Sequence, residues 1–177
     1  GATRWRAHLH SRDGQVFDPP SPEEPPIETN LSAAMTKVRA KAGTFAWRDM
    51  GRADFEATTI RNGAMSRHTI TGRALAMAIA MRPFIYDLAE DRGIHKDDDR
   101  NLVRFRPSAV FAGQAASQLG LSEGLAIPIH SGGAEGLMLL ESISGLSSDH
   151  LDLGEQLGSD VAAHMQAHAL LKATEDR

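Results

Sequence analysis

The sequence predicts an α+β fold: a central antiparallel sheet with the N- and C-terminal helices packed on one face. Three observations lead there. Residues 122–130 read as an apolar strand, 131–136 as a hairpin loop and 137–142 as the return strand. The run from Ser147 onward is helical, with Leu153, Leu157, Val161, Met165 and the Leu170-Leu171 pair at helical spacing. Residues 44–48 and 54–60 supply a second strand pair, joined by a turn containing Gly51.

Taken in order, Arg4 to His10 alternates weakly and Arg12-Asp-Gly-Gln15 is a turn signal. Val16 and Phe17 return, which predicts a small hairpin. Pro19, Pro20, Pro22, Pro25 and Pro26 crowd the next stretch beside Glu23 and Glu24, so it reads as an extended linker. A boundary is placed there: residues 1–26 are a hairpin plus linker, and 27–177 are the main domain. Asn30 is the expected N-cap of a helix over 31–42, with Leu31, Met35 and Val38 at i, i+4, i+7 and Gly43 closing it. Asn62-Gly63 ends the second strand. Residues 71–81 form a short helix rich in alanine and methionine, and 83–87 form a strand that tolerates Pro at its first position. Residues 89–108 carry ten charged side chains and read as a mobile surface loop. Residues 109–119 then read as a short helix leading into the strand pair.

A chain of 177 residues suits one core, and at this size roughly 70% of the unfolded surface can be buried. There are no cysteines, which removes disulfides, thiolate metal sites, cysteine nucleophiles and any chromophore attached through a thioether. A cytoplasmic location fits that composition. The net charge of −4 gives no basic footprint for nucleic acid. No apolar run approaches the ~20 residues of a membrane span. The chain opens Gly-Ala without methionine, and no signal-peptide pattern follows. We therefore expect a piece of a longer protein, with the output module lying outside it.

From about residue 27 onward the element order resembles a GAF domain. In the passage Thr71-Gly72 to Asp87-Leu88 a glycine opens a helix before a strand that ends in aspartate. Leu119-Gly-Leu-Ser-Glu-Gly-Leu-Ala-Ile-Pro-Ile129, followed by Gly136-Leu-Met-Leu-Leu140, is similar to that family's strand pair. The resemblance implies a GAF/PAS-like sheet and a sensor or regulatory role, for example in signal transduction or transcription regulation. It also implies a small ligand held against one sheet face beneath the long crossing segment, and a homodimer signalling through its terminal helix. Arg82–Leu88 and Gly120–His130 are also similar to the acyl-homoserine-lactone-binding domain of LuxR-type regulators. That family's tryptophan, tyrosine and Asp-Pro series is missing upstream of Arg82, and the chain has one tyrosine, so this resemblance ranks second.

If a ligand sits there, its lining would be Phe45, Trp47, Phe55, Phe84, Tyr86, Phe111 and His130. Aromatic walls with polar tips are what such pockets need, although the same residues more often simply fill a core. Arg104, which flanks Phe105 with Arg106, would clamp an anion, or else balance the acidic run beside it. Alternation puts Leu125, Ile127 and Ile129 on one face and Ala126, Pro128 and His130 on the other. His130 at the strand's end would meet a ligand or haem, but more commonly such a residue is solvated. His164 and His168 have the i, i+4 spacing of metal-binding imidazoles, yet no matching carboxylate accompanies them. They are assigned instead, with Leu31, Met35, Leu157 and Val161, to a dimer interface between the end helices. His8 and His10 sit beside Arg4 and Arg6, which disfavours a cation. Asp97-Asp98-Asp99 lacks the glycine and distant glutamate of a calcium loop. No metal centre is expected. No Ser-His-Asp order, carboxylate pair or metal triad stands out, so the expectation is a non-enzymatic domain.

Overall fold

The computed structural model describes residues 9–10, 16–17 and 25–175. The predicted turn at 12–15, His8 with Arg4 and Arg6, and most of the proline-rich linker lie outside them. The chain divides into two compact units. One comprises Ile27–Ala163, and the other comprises the residues up to Pro26 together with those from His164 onward. In the smaller unit, β1 (Leu9–His10) pairs antiparallel with β2 (Val16–Phe17), Leu9 opposite Phe17.

The larger unit opens with α1 (Ile27–Val38), followed by the strands β3 (Ala40–Asp49), β4 (Asp54–Arg61) and β5 (Ala64–Thr71). Next come α2 (Gly72–Ile79), β6 (Phe84–Asp87), β7 (Arg92–Lys96) and β8 (Leu102–Phe105). A 3-10 turn (Pro107–Ala109) and α3 (Ala115–Gln118) lead into β9 (Glu123–Ser131) and β10 (Ala134–Ile143). The last element, α4, runs over Asp149–Glu175, and its residues up to Ala163 belong to this unit. Eight strands form one antiparallel sheet in the order β5-β4-β3-β10-β9-β6-β7-β8. This is the α+β architecture read from the sequence.

Register decides what each face carries, because alternate residues point to opposite sides. Phe45 of β3 lies opposite Met138 of β10, which lies opposite Ile127 of β9; Gly43, Leu140 and Leu125 form the next row. This face carries α1 and the start of α4. Gly43 allows the approach of α1, since a Cβ there would come within 2.9 Å of Leu31 and 3.0 Å of Met35. Gly154 and Gly158, one turn apart on α4, likewise sit against Leu125 and Ile127. The opposite face is covered by α2 and by the crossing that ends in α3. Its core includes Phe55, Ile70, Leu75, Phe84, Tyr86, Phe111, Leu137 and Leu139.

Four expectations are corrected or extended. The first helix begins at Ile27 and ends at Val38, so Asn30 lies inside it and Gly43 lies within a strand. Arg39, at φ +61°, is the residue that turns the chain out of the helix. Asn62-Gly63 does end the second strand, but the pair also makes a tight hairpin into a further strand, β5, both residues having positive φ. That strand was missed because Ile70 is its one buried side chain, leaving no apolar run to read. Residues 89–108 are a paired hairpin rather than a loop, with Gly93 opposite Phe105. The helix expected over 109–119 shrinks to the 3-10 turn and the four residues of α3.

Candidate functional site

Beneath the crossing segment the sheet carries an aromatic cluster. Phe84 packs edge-on against Phe105, with ring centroids 5.2 Å apart, and Tyr86 meets Phe111 at 5.7 Å. Phe84 also touches Tyr86 and Phe111, and Phe84 and Tyr86 are fully buried. Offset and edge-to-face rings at these separations attract beyond their simple burial. β6 positions two of them by alternation, and Gly93 on β7 leaves the space that the Phe105 ring fills, since a Cβ there would sit 2.5 Å from it.

At one end of this cluster is a buried polar group. The Tyr86 hydroxyl donates to Glu141 Oε2 at 2.7 Å, and the Ser122 N–H donates to the same oxygen at 2.8 Å. Arg61 Nη2 lies 3.6 Å from Glu141 Oε1 and donates to the Gly120 carbonyl at 3.3 Å. Burial, and next the Glu141 carboxylate, raises the Tyr86 phenol well above its ordinary pKa of 10.0; Arg61 works against that rise. The arrangement makes Tyr86 a hydrogen-bond donor that keeps its proton. Glu141 and Arg61 were not singled out from sequence. The available signal was a charged residue directly after the apolar run at 137–140 of that strand.

The residues chosen from sequence as ligand-lining do not form one wall. Phe55, Tyr86 and Phe111 belong to the core on the crossing-segment side. Trp47 and Phe45 pack together on the opposite face, with centroids 5.5 Å apart, so they do not share that side with Tyr86. Arg104 is exposed and pairs across from Ile94, also away from the aromatic cluster. His130 does lie on the crossing-segment face, where its Nε2–H donates to the Ile79 carbonyl at 3.0 Å. That bond satisfies a carbonyl of the last residue of α2, which a helix end leaves without an intrahelical partner. Arg48 is a further neighbour: it bonds Glu135 through both Nε (3.0 Å) and Nη2 (2.7 Å) and lies 4.3 Å over the Phe55 ring.

Of the residues assigned to a dimer interface, Leu31, Leu157 and Val161 are buried within the chain itself, at 0%, 8% and 5% exposure. A single copy therefore already covers them. Met35 is half-buried, His164 is exposed and His168 is half-buried. Met35 also lines an open depression of about 480 Å³ with Arg39, Lys41 and Ile60. The large apolar side chains left exposed on α4 are Leu170 and Leu171, at 60% and 62%. Among the described residues, no helix is long and apolar enough to cross a membrane.

The fold has solved counterparts. One is the phycoerythrobilin-bound GAF domain of a cyanobacterial phytochrome, at TM-score 0.58 and 11% identity over 81% of this chain and 85% of that one. Another is a phycocyanobilin-bound GAF domain of a cyanobacterial phytochrome, at TM-score 0.50 and 10% identity over 81% and 96%. No family model matches the sequence, and no curated protein is significantly similar to it. The chain has a GAF-domain fold; at this identity the likeness speaks for the backbone alone.

Proposed function

We propose that this GAF-fold chain is a regulatory domain of the sensor type, non-enzymatic, passing a signal through α4 to a following module. The carrying observation is α4 itself. Its 27 residues extend about 40 Å. Leu151, Leu157 and Val161 are buried, while Leu170 and Leu171 near its end are exposed. A helix anchored on the sheet and ending in an uncovered leucine pair is suited to meet a second copy. Changes in the sheet would then move both helices together. The two phytochrome domains are named with bound bilins; this chain has no cysteine, so a bilin could not be attached to it through a thioether.

Sedimentation tests the dimer. The wild-type chain is expected to dimerise with increasing concentration, and the double substitution Leu170→Lys, Leu171→Lys to remain monomeric and folded. A wild-type chain that stays monomeric at high concentration would overturn the dimeric part of the reading.

A second reading, an interaction module that holds no ligand, is favoured by the filled aromatic cluster. Native mass spectrometry of the purified chain with a visible absorption scan separates the two. A retained small molecule supports sensing, and a Soret band would bring haem and a histidine into play. The lactone-binding alternative rests on the resemblance of Arg82–Leu88 and Gly120–His130 alone.

A further inference from the structure

β5 is one edge of the eight-stranded sheet, and it carries little of the usual protection. It runs for eight residues, pairs with β4 without a bulge from Arg61 and Ala64 to Asp54 and Thr71, and holds no proline. Edges are normally blunted by shortness, bulges, prolines or charge, because a bare row of N–H and C=O groups accepts another strand. The opposite edge, β8, has only four residues. The Asn62-Gly63 turn closes on a hydrogen-bonded pair, Arg61 and Ala64. Alternation therefore points the backbone N–H and C=O groups of Met65, Arg67 and Thr69 away from β4. Among the described residues nothing pairs with these groups.

The side chains of the same three residues stand on the face that carries α1, because Met65 lies opposite Ile60 and Arg67 opposite Thr58. α1 packs over β3 and β10 and leaves this part of the face open. Beside it, Met35, Arg39, Lys41 and Ile60 line the depression of about 480 Å³. Met65, next to Ile60 in the same row, is 48% exposed. Arg39, Lys41 and Arg67 are exposed, and none of them joins an ion pair among the described residues. Positive charge is thus gathered near the hairpin end of β5. Asp54 and Glu56 stand on the same face toward the far end, where Glu56 accepts from the Thr69 hydroxyl at 3.3 Å.

We infer that β5 is a docking edge for an extended acidic segment of a partner protein, added as a further strand with a carboxylate opposite Arg67 and an apolar side chain opposite Met65. Main-chain hydrogen bonds supply the affinity of such an addition, and alternate side chains supply its specificity. Arg39 and Lys41 add to the positive field that draws the segment in. A second copy fits less well. In the register that sets two His68 side chains face to face, Thr71, where the strand gives way to α2, falls opposite Met65, and the basic depression stays uncovered. The docking edge depends neither on the α4 contact nor on a bound small molecule.

Fluorescence anisotropy on the whole chain tests this with a labelled peptide, Thr-Val-Thr-Glu-Thr-Val-Thr, and a version carrying lysine in place of its glutamate. The wild type is expected to bind the glutamate peptide saturably and the lysine peptide more weakly. Arg67→Glu should weaken the glutamate peptide roughly tenfold and reverse the preference between the two. Met65→Pro removes an outward N–H while leaving the ladder to β4 intact, and should weaken both peptides. Arg67→Glu, at an exposed position, keeps the test decisive if the proline disturbs the strand. No saturable binding up to millimolar peptide overturns the docking edge, as does binding that neither substitution alters. Equal affinity for the two peptides overturns the acidic partner. The chain has no cysteine, so His68→Cys reports on a second copy under mild oxidation. It is expected to stay unlinked, and a rapid disulfide dimer would assign the edge to self-association instead, overturning the proposed occupant.

Discussion

Gly124 shows how tightly single residues are specified around the buried carboxylate. A Cβ at that position would sit 2.3 Å from the Leu140 carbonyl and 2.9 Å from both Glu141 Cγ and the Tyr86 hydroxyl. Backbone cannot yield as a flexible side chain can, so Gly124→Ala is expected to cost about 2–3 kcal/mol, seen as a lower urea midpoint. Tyr86→Phe removes the donor to Glu141 and is expected to cost about 1–3 kcal/mol. It should also change the alkaline limb of the stability profile. The folded-state phenol titrates above the unfolded value, so its contribution is complete below pH 10 and is lost as pH rises beyond it. Wild type should therefore lose stability above pH 10 more steeply than Tyr86→Phe; parallel curves in pH-dependent melting would contradict the assignment. His130→Ala should cost about 1 kcal/mol by leaving the Ile79 carbonyl unpaired, whether or not any ligand is present.

Among the elements, the β7–β8 hairpin departs furthest from the sequence reading, and its charges explain why. Lys96 bonds Asp152 of α4 at 2.9 Å, and Arg100 reaches both Glu155, at 2.9 Å, and Asp152. Arg82, just before β6, pairs with Asp98 at 2.7 Å and with Glu155 at 3.4 Å. The run that looked like a solvated loop is thus a tether between the hairpin and the first turns of α4. Hydrogen bonding from Lys96 is the largest influence lowering the Asp152 pKa, with Arg100 adding to it. The carboxylate is ionised above the usual aspartate range, and the tether is lost as pH falls below it. Because these groups are exposed, Asp152→Asn should loosen the hairpin without lowering the melting temperature appreciably. Faster amide exchange confined to 92–105, with the wild-type difference shrinking in high salt, is the expected signature. At the other edge, β5 escaped notice for the opposite reason: with one buried side chain it shows no strand pattern, and only Asn62-Gly63 announced it.

At the scale of the whole molecule, the sheet is buried on both faces, and this is why the choice of candidate site residues was only partly legible. Alternation correctly separates Leu125, Ile127 and Ile129 from Ala126, Pro128 and His130. It does not say which strand parity in β3 or β8 matches that division, because register between distant strands is a long-range property. Hence Trp47 and Arg104 were grouped with Tyr86 although they lie across the sheet from it. Phe84→Ala is expected to cost about 3–5 kcal/mol, since the rings around it cannot collapse into the space; calorimetry measures it. The strand pair at 122–142, the helical C-terminus and the GAF resemblance were all readable from the residues, because local periodicity and turn chemistry are written in neighbouring positions. The meeting of Glu141, Tyr86, Arg61 and Ser122, the filling of the aromatic cluster and the covering of Leu31, Leu157 and Val161 were decided by tertiary structure. Each of these depends on strand order, register and close approach at glycines, which bring together groups that are far apart along the chain.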